Sequence, residues 1–183
     1  MTNNIGNFLK QFFIIVSGFC FMIVIVAWNN TEETTLKYRE SISKTEQNKI
    51  PSIILYDAII KHSKKYNIPL DYAFGIAYTE TKYTSPFDFD YAHNLSSSAG
   101  AVGPMQVMLN TARYVWNCDT ISKERLKNDI DFNVETSMKV LSYYKSKHHD
   151  WLKTFGAYNS GQPIINYYAR TVHKYRFDST RRY

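Results

Sequence analysis

The chain has 183 residues and carries 22 Lys and Arg against 16 Asp and Glu, which gives a net charge of +6. With 44% hydrophobic and 21% charged residues it is too apolar for a disordered protein, and its length fits one domain rather than two large ones. Its two cysteines exclude a disulfide-rich scaffold. The apolar residues are concentrated near the N-terminus, so the chain divides into parts of different character.

The first part, residues 1–28, contains an uncharged apolar run from Phe12 to Trp28. As a helix this run would be roughly 25 Å long, at the short end of what spans a bilayer. Lys10 precedes the run and an acidic pair follows it, so the positive-inside rule predicts an N-terminal membrane anchor with the rest of the chain on the outer side. A cleaved signal peptide, which would leave a secreted domain, and a buried core helix are the alternatives.

The rest of the chain predicts a mainly α domain. Residues 29–50 are polar and of mixed charge, which indicates a linker, whereas helical apolar spacing begins at Pro51 and predicts a domain over residues 51–176 with a basic tail at 177–183. Seven helices and no strand pair are predicted. The helices are expected to begin at or near Pro51, Asp71, Met105, Ile121, Asp131, Asp150 and Pro163, and Gly161 is expected to end the sixth.

One of the three glutamates in residues 51–183 has an unusual setting. Glu124 lies among lysines and Glu135 lies early in a predicted helix, so both are expected to be solvated. Glu80 ends an apolar helix and is followed by a loop rich in aromatic residues. Burial there would raise its pKa and make it a candidate proton donor, although a solvent-exposed glutamate at a helix end is the alternative on local grounds.

Three blocks of residues follow one another along the chain: Glu80-Thr81, the run SSAGAVGPMQ from Ser97 to Gln106, and the run AYNSG from Ala157 to Gly161. Together they resemble the Glu-Ser, Ser-x-x-Gly-Ala-x-Gly-x-Met-Gln and Ala-Tyr-Asn-x-Gly blocks of the soluble lytic transglycosylase family, which has a goose-type-lysozyme-like fold. The resemblance covers roughly residues 50–175, and its strength lies in the order of the three blocks. The chain departs from the family pattern at Thr81, Pro104, Leu109 and Ser137.

The resemblance implies a peptidoglycan lytic transglycosylase that uses one glutamate, here Glu80, first as acid and then as base. It implies cleavage of the β-1,4 bond between MurNAc and GlcNAc with formation of 1,6-anhydro-MurNAc. No cofactor is predicted. Gln106 is expected to supply amide hydrogen bonds, and Tyr158 to orient the Glu80 carboxyl group. The resemblance implies a substrate cleft lined by Thr81, Ser97, Gly100, Met105, Gln106, Tyr158 and Asn159.

Two other functions remain open on the same residues. One is a muramidase that uses water on the same fold, and the other is a non-catalytic peptidoglycan-binding protein of an assembly. The biological setting, whether wall remodelling, a secretion or conjugation apparatus, or phage entry, is open as well. The aromatic residues of the loop after Glu80 are expected either to stack on sugars or to cover the core: Tyr83, Phe87, Phe89 and Tyr91.

The charge of the exported part indicates the kind of partner. Residues 51–183 contain 17 Lys and Arg against 12 Asp and Glu, and peptidoglycan is anionic through its peptide carboxylates. Nucleic acid is excluded as a partner, because no binding motif is present and the predicted location is outside the cytosol. The five histidines do not have the spacing of zinc ligands, so no metal is predicted.

Overall fold

The computed structural model describes residues 50–175, and seven helices lie in this range. The prediction of a mainly α domain is confirmed for this part of the chain. Within residues 50–175 no helix is long and apolar enough to cross a bilayer. The predicted anchor, the linker up to residue 49 and the basic tail lie outside the described residues and stay predictions. The helices are α1 (Pro51–Tyr66), α2 (Leu70–Thr81), α3 (Leu109–Trp116), α4 (Lys123–Asn128), α5 (Ile130–His148), α6 (Trp151–Ser160) and α7 (Tyr167–Lys174).

Several helix ends follow directly from capping chemistry. Pro51 occupies the first turn of α1, where its missing N–H leaves no helical bond unmade. The Asp150 side chain accepts a hydrogen bond from the backbone N–H of Lys153 and caps α6, and Gly161 ends that helix with a φ of +73°. These ends agree with the sequence prediction. Helices α2, α4 and α5 also begin within two residues of their predicted starting residues.

The start of α3 was predicted wrongly. The helix begins at Leu109 rather than Met105, because the preceding residues form a tight turn in which Gly103 and Gln106 have φ values of +78° and +47°. This left-handed geometry cannot belong to a right-handed helix. Val102 lies beside the turn and pairs with both neighbouring segments through isolated bridges, which are too short to be strands.

The start of α7 was also predicted wrongly. Pro163 does not begin the helix, which starts at Tyr167. The Asn166 side chain accepts a hydrogen bond of 2.9 Å from the backbone N–H of Ala169 and so caps α7 at this point. The segment between α6 and α7 is therefore a connection of irregular structure.

The core lies around α5, which packs against α1, α3, α4 and α6. Its buried residues include Val134, Met138 and Leu141, all fully inaccessible to solvent. α7 packs against α6 and α2. In α2 the five consecutive residues from Ala73 to Ala77 are buried, so that helix is surrounded over its middle and emerges only near its C-terminal end. This packing brings the end of α2 next to α7 and sets the position of Glu80.

Candidate active site

Glu80 lies in the last turn of α2, half-buried, at the point where the apolar part of the helix ends. Burial raises the pKa of its carboxyl group from 4.5 to about 7, while a hydrogen bond from Tyr168 and the charge of Lys82 act in the opposite direction. A carboxylic acid with this pKa is substantially protonated near neutral pH. Glu80 therefore has the property required of a general acid, as the apolar helix predicted.

Tyr168 is the direct partner of Glu80. Its hydroxyl donates a hydrogen bond of 2.6 Å to Glu80 Oε1, across 88 residues of sequence. Burial, followed by the charge of Glu80, raises the pKa of Tyr168 well above its usual value, so the phenol keeps its proton and acts as a donor. Tyr168 lies outside the three sequence blocks, so its contact with Glu80 was not predicted.

Tyr158 was expected to orient Glu80, and the structure gives its hydroxyl other partners. The hydroxyl donates to the Met105 carbonyl at 2.7 Å and lies 2.9 Å from the Ser137 hydroxyl. Because its one proton is used on the carbonyl, Ser137 is the donor of the second bond. Glu80 still lies close enough that its charge helps to raise the pKa of Tyr158, after burial. Tyr158 thus holds the Met105 segment in place beside the acid.

The turn between Val102 and Val107 is fixed by one buried side chain, Asn133 of α5. Asn133 Oδ1 accepts from the backbone N–H of Met105 at 2.9 Å, and Nδ2 donates to the carbonyls of Val102 and Leu126 at 2.9 and 2.8 Å. Gly103 is required beside it, since an added Cβ would lie 2.4 Å from Asn133 Nδ2. The amide therefore provides a partner for the Met105 N–H and for the Leu126 carbonyl of α4, and it gives the Val102 carbonyl a second hydrogen bond beside the one from the Val107 N–H.

Thr81 connects the end of α2 to the same turn. Its hydroxyl lies 2.9 Å from the Pro104 carbonyl, to which it donates, and 2.6 Å from the Tyr91 hydroxyl. Met105 is fully buried, and its side chain packs in the core. Of the residues expected to line the cleft, Thr81 and Met105 therefore contribute to the structure next to Glu80 rather than providing exposed polar groups.

The other predicted site residues lie nearer the surface. Ser97 is exposed, and its hydroxyl accepts from the backbone N–H of Ala101 in a turn that passes through Gly100, whose φ is +92°. Gln106 is half-buried and donates through Nε2 to the Gly103 carbonyl at 2.8 Å. The amide of Gln106 thus closes its own turn, and these residues form the rim of the turn that Asn133 anchors.

Asn159 is exposed at the end of α6 and accepts a hydrogen bond of 3.0 Å from Asn166 Nδ2. Since Asn166 also caps α7, this contact links the AYNSG block to the helix that carries Tyr168. The last sequence block therefore supports the site through two routes: Tyr158 holds the turn, and Asn159 holds the start of α7.

The aromatic loop after α2 divides into a buried and an exposed part. Tyr83 and Tyr91 are 1% and 8% exposed and pack in the core, with ring centroids 5.2 Å apart. Phe87 and Phe89 are 54% and 64% exposed and contact each other edge to face. Both predicted roles thus have candidates: the tyrosines cover the core, and the phenylalanines present aromatic surface to solvent.

A separate polar cluster joins α1 to α5. Ligand atoms of His62, Asp131 and Glu135 lie within 4.8 Å of one another, which brings together residues that sequence spacing did not connect. His62 is buried, and its Nε2 lies 3.0 Å from Asp131 Oδ1. Lys61 and Lys65 already pair with the two carboxylates. A metal would have to displace both lysines, so the cluster is better described as an ionic link between two helices.

Residues 57–179 match the family model of the transglycosylase SLT domain. Among solved structures, the chain is similar to an inactive mutant of lytic transglycosylase Slt from Pseudomonas aeruginosa, at 23% identity and a TM-score of 0.47 over 58% of this chain and 16% of that one. It is also similar to the 70 kDa soluble lytic transglycosylase of Escherichia coli, at 22% identity and a TM-score of 0.49 over 64% and 18% of the two chains.

The same 70 kDa enzyme in complex with bulgecin A gives 21% identity and a TM-score of 0.49, over 64% of this chain and 18% of that one. The chain thus spans less than a fifth of the length of these solved proteins. No curated protein gives a significant match. The family model covers well over half of the chain and includes all three sequence blocks. The predicted family is confirmed: the chain belongs to the transglycosylase SLT domain family.

Proposed function

We propose that the protein cleaves the β-1,4 bond between MurNAc and GlcNAc in peptidoglycan and forms 1,6-anhydro-MurNAc, with Glu80 as both acid and base. The observation that carries this proposal is the half-buried Glu80 carboxyl group, whose pKa of about 7 leaves it protonated before reaction. Within the described residues, Lys82 is the one charged group that acts on this pKa. A mechanism with one carboxyl group therefore fits the site better than the paired carboxylates of most glycosidases.

The first step is protonation of the leaving group. Tyr168 occupies Glu80 Oε1, which leaves Oε2 to carry the proton. Glu80 transfers this proton to the glycosidic oxygen as the bond to C1 of MurNAc breaks, and the GlcNAc hydroxyl leaves. The carboxylate that results is stabilised by the Tyr168 hydrogen bond and by Lys82, both of which favour the charged form.

The second step closes the anhydro ring. The Glu80 carboxylate accepts the proton of the C6 hydroxyl of the same MurNAc, whose oxygen bonds to C1. This step returns Glu80 to its protonated state, and no water is consumed. Because the nucleophile and the electrophile belong to one sugar, their effective concentration is high and the protein need not position a separate nucleophile.

Product analysis tests this proposal. Mass spectrometry of digested sacculi is expected to show anhydro-MurNAc ends, whereas a muramidase would leave reducing ends. Glu80→Gln is expected to lose product release by at least a hundredfold, since general acid–base catalysis contributes about 10²–10⁴. Glu124→Gln, which removes an exposed carboxylate, is the matched control and is expected to keep full activity. Equal release by Glu80→Gln and wild type would indicate a binding protein instead.

We further propose that residues 1–28 anchor this domain on the outer side of the membrane. The proposal rests on the uncharged run from Phe12 to Trp28 and on the charges that flank it. Protease treatment of intact spheroplasts is expected to remove residues 51–176 while a tag at the N-terminus survives. A soluble protein whose mass lacks the first segment would show that the segment is a cleaved signal peptide.

A further inference from the structure

A pocket of about 390 Å³ lies between the end of α2 and the outer face of α7. This volume is within the usual range of ligand sites, roughly 300–1,000 Å³. None of the side chains around it belongs to the three sequence blocks or to the proposed chemistry. The lining residues are Tyr78, Tyr167, Arg170, Thr171, Lys174 and Tyr175.

The pocket is basic, and its charged side chains can bind a ligand. Arg170 and Lys174 are both exposed, and within residues 50–175 neither pairs with a carboxylate. Lys82, which is not a lining residue, has its Nζ 5.2 Å from the centroid of the Tyr78 ring and adds positive charge nearby. By contrast, Lys61 and Lys65 on α1 have acidic partners. The side chains around this pocket therefore favour an anionic ligand.

Three of the other four lining residues are tyrosines. Tyr78 and Tyr175 contact each other with ring centroids 5.5 Å apart, and Tyr167 is 86% exposed. These rings offer flat apolar surface next to hydroxyl groups that donate hydrogen bonds. An arginine and a lysine beside such rings suit a ligand that carries carboxylates on a partly apolar chain, such as a peptide.

The pocket shares both of its helices with the candidate active site. Tyr78 precedes Glu80 by two residues on α2, and Thr171 follows Tyr168 by three residues on α7. Residues three apart on a helix are neighbours, about 5–6 Å between Cβ atoms, so the pocket begins about one helical turn from Tyr168, the residue whose side chain contacts Glu80. A ligand attached to the sugar at Glu80 can reach it over a short distance.

We propose that this pocket binds the carboxylates of the peptide stems of peptidoglycan, while the glycan strand that carries the stem lies at Glu80. This inference rests on the proposed function, which supplies the glycan. The stem is joined to MurNAc, the sugar whose C1–O bond breaks, so contacts to the stem place that sugar without touching the reacting atoms. Arg170 binds a carboxylate through two parallel N–H groups, and Lys174 adds a point charge. Arg170 and Lys174 are positioning residues for the substrate.

The test compares two substrates with one pair of variants. Soluble glycan strands are prepared with their peptides and after enzymatic removal of the peptides. The double variant Arg170→Gln/Lys174→Gln is expected to raise KM about tenfold on the peptide-bearing strands and to leave KM on the bare strands unchanged, with kcat preserved on both. Lys64→Gln/Lys123→Gln removes the same charge from two exposed lysines elsewhere and is expected to change neither value. Thermal unfolding checks that all variants fold.

A binding measurement separates this proposal from the proposed function. In a Glu80→Gln background, the affinity for both kinds of strand is measured with and without the pocket substitutions. A tenfold loss of affinity that appears only with peptide-bearing strands supports stem binding in the pocket. This result would hold even if the wild type released no anhydro product and the proposed chemistry were wrong. Equal affinities for the two kinds of strand, or equal losses on both, would overturn the stem-binding role. If the control double variant lost as much affinity as the pocket variant, the stem-binding role would be overturned as well. The loss would then reflect the net charge of the protein and not the pocket.

Discussion

Replacing Glu80 by glutamine is expected to stabilise the protein at neutral and alkaline pH. The substitution removes an ionisable group whose burial raises its pKa from 4.5 to about 7 and keeps a side chain of nearly equal size. In the unfolded chain the carboxyl group ionises near 4.5, so between the two values the folded state binds the proton more tightly. Stability therefore falls as pH rises through this interval, because the folded state binds more protons than the unfolded state.

The magnitude follows from the same interval. At about 1.4 kcal/mol for each pH unit, the difference between 4.5 and about 7 corresponds to about 3 kcal/mol of unfolding free energy that the wild type loses by pH 8. Below pH 4 the carboxyl group is protonated in both states and the loss is absent. Since small domains unfold with about 5–15 kcal/mol, an effect of this size is readily measured.

Urea unfolding of wild type and Glu80→Gln at pH 4, 6 and 8 measures the effect, and groups that titrate in both proteins cancel in the difference. The stability difference is expected to grow by about 3 kcal/mol in favour of Glu80→Gln between pH 4 and pH 8. Glu124→Gln is the matched control, since Glu124 is exposed. A difference that stays constant with pH would refute the reasoning, because it would mean that Glu80 ionises in the folded state as it does in the unfolded chain.

Other substitutions test the contacts around the acid. Tyr168→Phe removes a hydrogen bond that lowers the Glu80 pKa, so the alkaline limb of the rate–pH profile is expected to move to higher pH, and an unmoved limb would contradict the role of the hydroxyl. Gly103→Ala combines a φ of +78° with a Cβ contact of 2.4 Å to Asn133 and is expected to lose more than 2 kcal/mol in urea unfolding. Gly100→Ala has a φ of +92° but meets nothing within 4 Å, and an equal loss there would attribute the effect to φ alone. Asn133→Ala removes the side-chain partner of the Met105 N–H and the Leu126 carbonyl, while the Val102 carbonyl keeps its bond from the Val107 N–H, and it is expected to destabilise by about 2–4 kcal/mol; unchanged stability would show that water replaces the amide.

The local parts of the fold were predictable because their signals are local. Asp150 and Gly161 bound α6 through a cap and a left-handed residue, and both can be recognised from neighbouring residues. The setting of Glu80 was predictable for a similar reason, since an apolar helix that ends in a carboxylic acid carries the information needed for a raised pKa. Periodicity and capping describe one helix at a time, and these features need no more than that.

The contacts between helices were not predictable in this way. The hydrogen bond from Tyr168 to Glu80 spans 88 residues, and Tyr168 stands among apolar residues of α7, a pattern that by itself indicates packing. The one available signal was the phenol itself, since a tyrosine on a buried stripe needs a hydrogen-bond partner. Asn133 is a second case. A fully buried asparagine in α5 must form hydrogen bonds through its amide, but the sequence does not indicate which backbone groups are its partners.

The site described here depends more on side chains that hold the turn at residues 103–106 than on side chains that face a ligand. Three helices reach this turn: Thr81 of α2 donates to the Pro104 carbonyl, Asn133 of α5 accepts from the Met105 N–H, and Tyr158 of α6 donates to the Met105 carbonyl. All three bonds go to backbone atoms of the turn, so they do not depend on which side chain stands at position 104, one of the positions where the chain departs from the family pattern. Substitution at any of the three positions is therefore expected to move the wall beside Glu80 and to affect kcat without a direct contact to the sugar.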